Sequence, residues 1–163
     1  MSTRSLLASP MILVTALVPR ASAQDSSFAA MQRRGKTAMG VDQYTSAHRF
    51  DDLADGGRIE LQRDRDDTAG VRAIRAHLQA IAKSFSTGDF STPAFVHMRD
   101  VPGTTVMAAK RAVIRYRFEP LPRGGALRIL TTDPSARAAV HRFLAFQRSD
   151  HHAAGHTMNG AHP

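Results

Sequence analysis

Histidine is the residue type in this sequence that most readily supports the chemistry of a site. The 163-residue chain contains eight histidines and no cysteine. Neutral imidazole binds Cu(II), Ni(II) and Zn(II), and methionine sulfur prefers Cu(I). Imidazole also titrates near neutral pH, which suits it to proton transfer. The lack of cysteine excludes disulfides, thiolate metal sites and covalently attached c-type haem.

Half of the histidines lie close together at the C-terminal end. Residues 151–163 show no hydrophobic periodicity, and we expect them to form a disordered tail. A flexible tract of His and Met is typical of metal capture, with copper first and zinc or nickel as the alternatives. It is equally compatible with a solvated segment that binds nickel weakly and has no physiological role. The predicted metal ligands in the tail are His151, His152, His156, Met158 and His162.

Three further histidines are candidates for an ordered metal site. His48 lies two residues before Phe50, on the inner face of a predicted strand. It is either a core histidine whose nitrogens are both hydrogen-bonded, or a pocket ligand or acid–base group. His97 precedes Met98, a pair that suits a soft metal but is also common as core filling. His141 lies on one flank of a predicted helix, either on a polar face or in the wall of a histidine-lined site.

Signatures of known catalytic sites are missing from the sequence. It contains no G-x-S-x-G elbow, no P-loop, no dinucleotide fingerprint and no H-E-x-x-H. The clustered aspartates fall at turns and helix starts, where capping explains them. We therefore assign no catalytic residue. A hydrolase-like enzyme that uses His48 or His141 as a general base remains an alternative.

The N-terminal residues have the layout of a secretory signal peptide. Arg4 precedes an apolar stretch over residues 6–18, and the small residues 21–23 form an A-x-A cleavage site. We expect residues 1–23 to be removed before Gln24. The mature chain would then be periplasmic or secreted, with no transmembrane segment.

Charge on the chain is basic but dispersed. The formal net charge is +8, and Lys and Arg outnumber Asp and Glu by 22 to 14. Interleaved acids and arginines usually form a solvated surface. The alternative is an envelope structural or interaction module, without metal, whose basic surface meets an anionic partner. No basic run with interleaved aromatics occurs, so we expect no nucleic-acid partner. No feature of the sequence identifies a protein partner.

Two segments of the chain repeat each other at an offset of 68 residues. Residues 49–85 and 117–147 each read as a strand, a glycine-pair turn, a second strand and a helix. Their matching residues are Arg49-Phe50 with Arg117-Phe118, Leu53 with Leu121, and Gly56-Gly57 with Gly124-Gly125. The pattern favours an internal duplication, although a short chain can also acquire such a repeat by chance.

The repeats predict an α+β fold in ββα-ββα order. An apolar stripe predicts a helix over 68–86 that ends at Gly88, and Asp133-Pro134 begins a helix over 134–150. Four strands in a mainly antiparallel sheet, with both helices on one face, give a two-layer sandwich. This single domain would span residues 41–150. Before it, residues 24–40 would be a flexible arm.

The segment that joins the repeats carries weaker signals. Residues 93–98 predict a short strand, and residues 104–107 predict an extended segment or a further short strand. His77 lies at the edge of the first helix's apolar stripe, where we expect a half-exposed side chain without a role.

Several stretches between Met39 and His151 together form a recognisable pattern. They read MGVDQYTSAHRF, DGGRIELQRD, IRAHLQAIA, GDFSTPAFVH, VPGTTVM, GGALRI and HRFLAFQRSDH. In these stretches the chain resembles a group of small exported bacterial proteins of unassigned function. The resemblance implies that the ordered domain, rather than the tail, defines the group. It carries no activity, and no residue role follows from it.

The leading hypothesis from the sequence is a small exported binding protein that captures a metal ion, copper first, and hands it on. The tail would recruit the ion, and His48, His97 and His141 would form any ordered site.

Overall fold

The computed structural model describes residues 21–155, and the side chains from residue 26 onward. Five α-helices and four β-strands lie in this range, with two short 3-10 turns. In chain order they are α1 (Ala21–Met39), β1 (Ser46–Leu53), β2 (Gly56–Arg63), α2 (Thr68–Thr87), α3 (Ser91–His97), α4 (Thr104–Ala109), β3 (Arg115–Leu121), β4 (Gly124–Leu130) and α5 (Pro134–Asp150).

The four strands form one antiparallel sheet in the order β1-β2-β4-β3. This confirms the predicted sheet and the α+β class. Gly56 and Gly124 begin the two central strands, at the same place in each repeat. At Gly56, φ is +137° and a Cβ atom would lie 2.0 Å from the carbonyl oxygen of Ile129. Only glycine fits this close approach.

Both long helices of the repeats cover the same face of the sheet, as predicted. Asp67 caps α2 by accepting the N–H of Gly70, and Asp133 caps α5 by accepting the N–H of Ala136. Each helix packs mainly on the hairpin of the other repeat, α2 on β3 and β4 and α5 on β1 and β2. The two halves therefore share one core. Its fully buried side chains include Phe85, Phe143, Ile74, Leu78, Leu127, Ile129 and Leu144.

The opposite face of the sheet is polar. Alternate residues on one strand share a face, and this places Arg58 beside Glu60 and Arg117 beside Glu119, each pair joined by an ion pair. Acidic side chains thus lie among the arginines of this face, which is what a solvated sheet surface requires.

Residues 24–40 differ from the expected flexible arm, because all of them except Gly40 lie in α1. Met31 and Met39 are 4% and 5% exposed, and α1 packs against α2 and α3. Residues 21–23, the predicted cleavage site, are the first turn of this helix. The rest of the predicted signal peptide, residues 1–20, lies outside the described residues. Between residues 21 and 155, no helix is long and apolar enough to cross a bilayer.

The segment between the repeats is helical, so both strand predictions there are wrong. Residues 93–97 belong to α3, which is followed by Met98, and residues 104–107 belong to α4. A short apolar run cannot be assigned by periodicity alone. Burial of Val96 and Met107 against the helices and the sheet stabilises these short helices instead.

Candidate functional site

A cavity of about 80 Å³ lies between the inner face of the sheet and helices α1, α2, α3 and α5. Four histidines line it, and most of the remaining wall is apolar. The histidines are His48, His77, His97 and His151.

Four separate elements bring these histidines to the cavity. His48 alternates with Phe50 on β1 and faces inward beside it. His77 lies on α2, four residues before Ile81, so that both side chains lie on the same helix face. His97 is the last residue of α3, and His151 follows directly after α5.

His151 is the centre of a contiguous group of imidazole rings. Its ring centroid lies 5.6 Å from that of His48, with the two planes only 9° apart. The ring of His97 lies 5.0 Å away on another side, nearly perpendicular to His151. His48 and His97 are 49 positions apart in the chain, and the fold joins them through His151.

Hydrogen bonds fix the orientation of two of these rings. His97 is buried, and its Nδ1 lies 2.5 Å from Asp150 Oδ2 while its Nε2 lies 3.1 Å from Gln147 Oε1. Nδ1 of His151 lies 3.2 Å from Gln43 Oε1. Both nitrogens of His97 are thus occupied, whereas His151 has one such bond.

Burial lowers the pKa values of three cavity histidines, His48, His77 and His151, and so favours their neutral form. Desolvation lowers the pKa of His48 to about 4, and a hydrogen bond with the backbone of Ser46 only partly offsets it. Desolvation, together with the smaller effects of the neighbouring His48 and His97, lowers the pKa of His151 to about 3. The pKa of His77 is lowered by burial as well, against a hydrogen bond with the backbone of Ala38. A neutral imidazole keeps one lone pair, which can accept a hydrogen bond or bind a metal.

The segment after α5 holds His151 over the cavity. The N–H of Phe50 donates to the carbonyl oxygen of Ala154 at 3.0 Å, which joins the segment to the edge of β1. Arg148 donates to the carbonyl oxygen of Phe50 at 2.8 Å and pairs with Asp52. Residues 151–155 are therefore ordered, which corrects the expectation that the disordered tail begins at residue 151.

The remaining predicted ligands lie away from this cavity. Nε2 of His141 lies 2.9 Å from the carbonyl oxygen of Gly56 and 3.1 Å from that of Leu53, so this imidazole ties α5 to the β1–β2 turn. His152 is exposed and stacks on Phe28 at a centroid distance of 4.5 Å. The predicted residues His156, Met158 and His162 lie outside the described residues.

The predicted ordered set of His48, His97 and His141 is thus not assembled. His77 takes the place that His141 was expected to fill in the histidine-lined wall. Its position at the edge of an apolar stripe was the only sequence signal for this role. Among the described side chains, residues 26–155, no three His, Asp or Glu form a group that could hold a metal ion.

A surface depression of about 350 Å³ lies between α1, α2 and α3, next to the cavity. Ala38, His77, Ile81 and Thr92 line both spaces. Phe95 stands at the rim and is 46% exposed. The mostly apolar cavity and a depression that carries a large exposed aromatic ring therefore share part of one wall.

Comparison with protein-family models, with curated proteins and with solved structures found no match. The resemblance to small exported bacterial proteins stays a prediction, and functional inference depends on the cavity itself.

Proposed function

We propose that this chain is a small exported binding protein whose ligand occupies the histidine-lined cavity. The observation that carries the proposal is the convergence of four histidines from four elements on one mostly apolar space. Ligand sites are typically concave and apolar, with a few convergent polar groups of perturbed pKa. Export rests on the signal-peptide pattern of residues 1–23.

The wall chemistry defines the class of ligand. Neutral imidazoles offer lone pairs, so the ligand carries an N–H or O–H group that can donate to them. The surrounding Met39, Phe50 and Leu78 side chains favour an apolar body. A cavity of about 80 Å³ is roughly half the ~150 Å³ that admits benzene. We therefore infer a short aliphatic chain with one hydrogen-bond donor, whose remainder extends past the shared wall toward the neighbouring depression.

A cavity-filling substitution tests this proposal. Ala38 lines the cavity, whereas its neighbour Thr37 is exposed on the same helix. Calorimetric and NMR titration with 1-hexanol should show saturable binding to the wild-type chain. Ala38→Leu should remove that binding, and the matched control Thr37→Leu should retain it. Binding that persists in a folded Ala38→Leu protein would place the ligand elsewhere.

A metal ion is the second candidate ligand, with copper first. It is favoured by three contiguous imidazoles, of which His48 and His151 have lowered pKa values and so stay unprotonated at neutral pH. Holding an ion would require the rings to turn, since the described side chains, from residue 26 to residue 155, contain no preformed group of ligands. Titration with Cu(II) and Zn(II) distinguishes the metal-ion candidate from the aliphatic ligand. A metal bound by this cluster should lose affinity in His48→Phe and His151→Phe, and keep it in a chain ending at residue 155.

A further inference from the structure

We propose that a second site, a groove between α1 and the C-terminal end of α5, binds a small oxyanion group, either a carboxylate or a phosphate. The groove has a volume of about 710 Å³. His97 lines both the cavity and the groove, so its ring is part of the wall between them. The charged residues that line the groove are Arg34, Arg99 and Asp150.

The charge balance of the groove favours an anion. Of the described residues that line the groove, only Asp150 carries a carboxylate, and this carboxylate already makes two contacts. Oδ2 lies 2.5 Å from Nδ1 of His97, and Oδ1 accepts a hydrogen bond from Arg99 at 2.5 Å. The Arg99 guanidinium also lies over the ring of Phe146, 4.7 Å from its centroid. These contacts satisfy Asp150, so that among side chains 26–155 the charge of the second arginine, Arg34, has no carboxylate partner.

Arg34 is the residue on which the site depends. It is half-buried, and its Nε donates to the carbonyl oxygen of Val96 at 2.7 Å. This bond fixes the plane of the guanidinium group where it lines the groove. Among the described side chains, residues 26–155, no carboxylate pairs with Arg34, and its two terminal nitrogens make no further hydrogen bond there. A half-buried cation without a counter-charge gains much from an anionic ligand.

The planar guanidinium selects the chemistry of the ligand. Its nitrogens form a rigid fork that matches two oxygens of a carboxylate or a phosphate. Ser149 and His152 lie on the same walls and can add donors. Because the groove is much larger than one such group, the anion would be part of a larger molecule.

Two adjacent arginines on α1 provide a matched test. Arg34 lines the groove, whereas Arg33 is exposed. NMR titrations of the full chain with inorganic phosphate and with acetate, at constant ionic strength, should show saturable binding of at least one anion. Arg34→Met should weaken that binding at least tenfold, since hydrogen bonds to charged groups are strong. Arg33→Met should leave it unchanged, and Arg34→Lys should weaken it by an intermediate amount because it keeps the charge and loses the fork.

Two results would overturn the proposal. One is the absence of saturable binding of either anion to the wild-type chain. The other is equal weakening in Arg33→Met and Arg34→Met, which would indicate attraction to the overall positive charge. If Arg34→Met does not fold by circular dichroism, the Arg34→Lys result decides. Binding of only one of the two anions would identify whether the ligand carries a phosphate or a carboxylate. Binding of 1-hexanol in the cavity is measured in a separate titration, so the two proposals can fail independently.

Discussion

Acidification should destabilise this protein through its buried histidines. In the unfolded chain, His48 and His151 bind protons near pH 6.5, but in the folded chain their pKa values are about 4 and about 3. The unfolded state therefore binds more protons between these values. By linkage, the contribution of these two histidines to stability is complete above pH 6.5. It decreases as the pH falls from 6.5 to the pKa values of the folded state. His77 acts in the same direction, because burial lowers its pKa.

The size of the effect follows from the two pKa values. Between pH 7.5 and pH 5, each of His48 and His151 lowers the free energy of unfolding by up to about 2 kcal/mol. The two together lower it by up to about 4 kcal/mol, which is a large part of the stability of a small domain. Aspartates with lowered pKa values, such as Asp133, act only at lower pH, because the ordinary value is 3.8. The interval from pH 7.5 to pH 5 thus isolates the histidines.

Urea unfolding at constant ionic strength measures this decrease. His48→Phe and His151→Phe keep a ring at each position, and each should reduce the decrease by up to about 2 kcal/mol. His152→Gln is the control, because it removes an exposed imidazole and should leave the decrease unchanged. A wild-type protein equally stable at both pH values would refute the reasoning. So would an undiminished decrease in the double Phe variant.

Three substitutions, Gly56→Ala, Phe85→Ala and Arg148→Met, test the packing that positions the cavity. The effect of each on the free energy of unfolding is measured by urea unfolding. Gly56→Ala should cost about 1–3 kcal/mol, since alanine meets both an unfavourable φ and a backbone oxygen; a neutral result would contradict that geometry. Phe85→Ala should cost about 3–5 kcal/mol, because Phe85 is buried in the core. Val113 is 48% exposed, so the comparison variant Val113→Ala should cost less than about 0.5 kcal/mol. Arg148→Met should cost about 3–5 kcal/mol because it leaves Asp52 buried and unpaired. Adding Asp52→Leu should restore part of that loss, and no recovery would rule the mechanism out.

The repeats could be predicted because their signals are local. The apolar stripe and Gly88 define α2, and Asp133-Pro134 begins α5 within the same stretch of chain. Strand alternation also predicted that His48 faces inward with Phe50. Helices α1 and α3 could not be assigned this way. These two helices pack against each other, and α1 also packs against α2. Periodicity within a short segment does not reveal such contacts.

The site depends on pairings between distant residues, and these were missed. His97 and Asp150 are 53 positions apart, and nothing in either neighbourhood indicates their hydrogen bond. His141, like His77, is a histidine on a long helix that covers the sheet. Its side chain nevertheless hydrogen-bonds to backbone carbonyl oxygens at the β1–β2 turn. Which histidine reaches the cavity is decided by how α2 and α5 cross the sheet. The angle and position of that crossing depend on tertiary packing between distant parts of the chain.

The most direct test of the ligand cavity is to observe the imidazole nitrogens by ¹⁵N NMR while 1-hexanol is added. Binding in the cavity predicts saturable shift changes at His48, His77, His97 and His151, with little change at His141. Equal changes at His141, or no saturable change at the four cavity histidines, would contradict it.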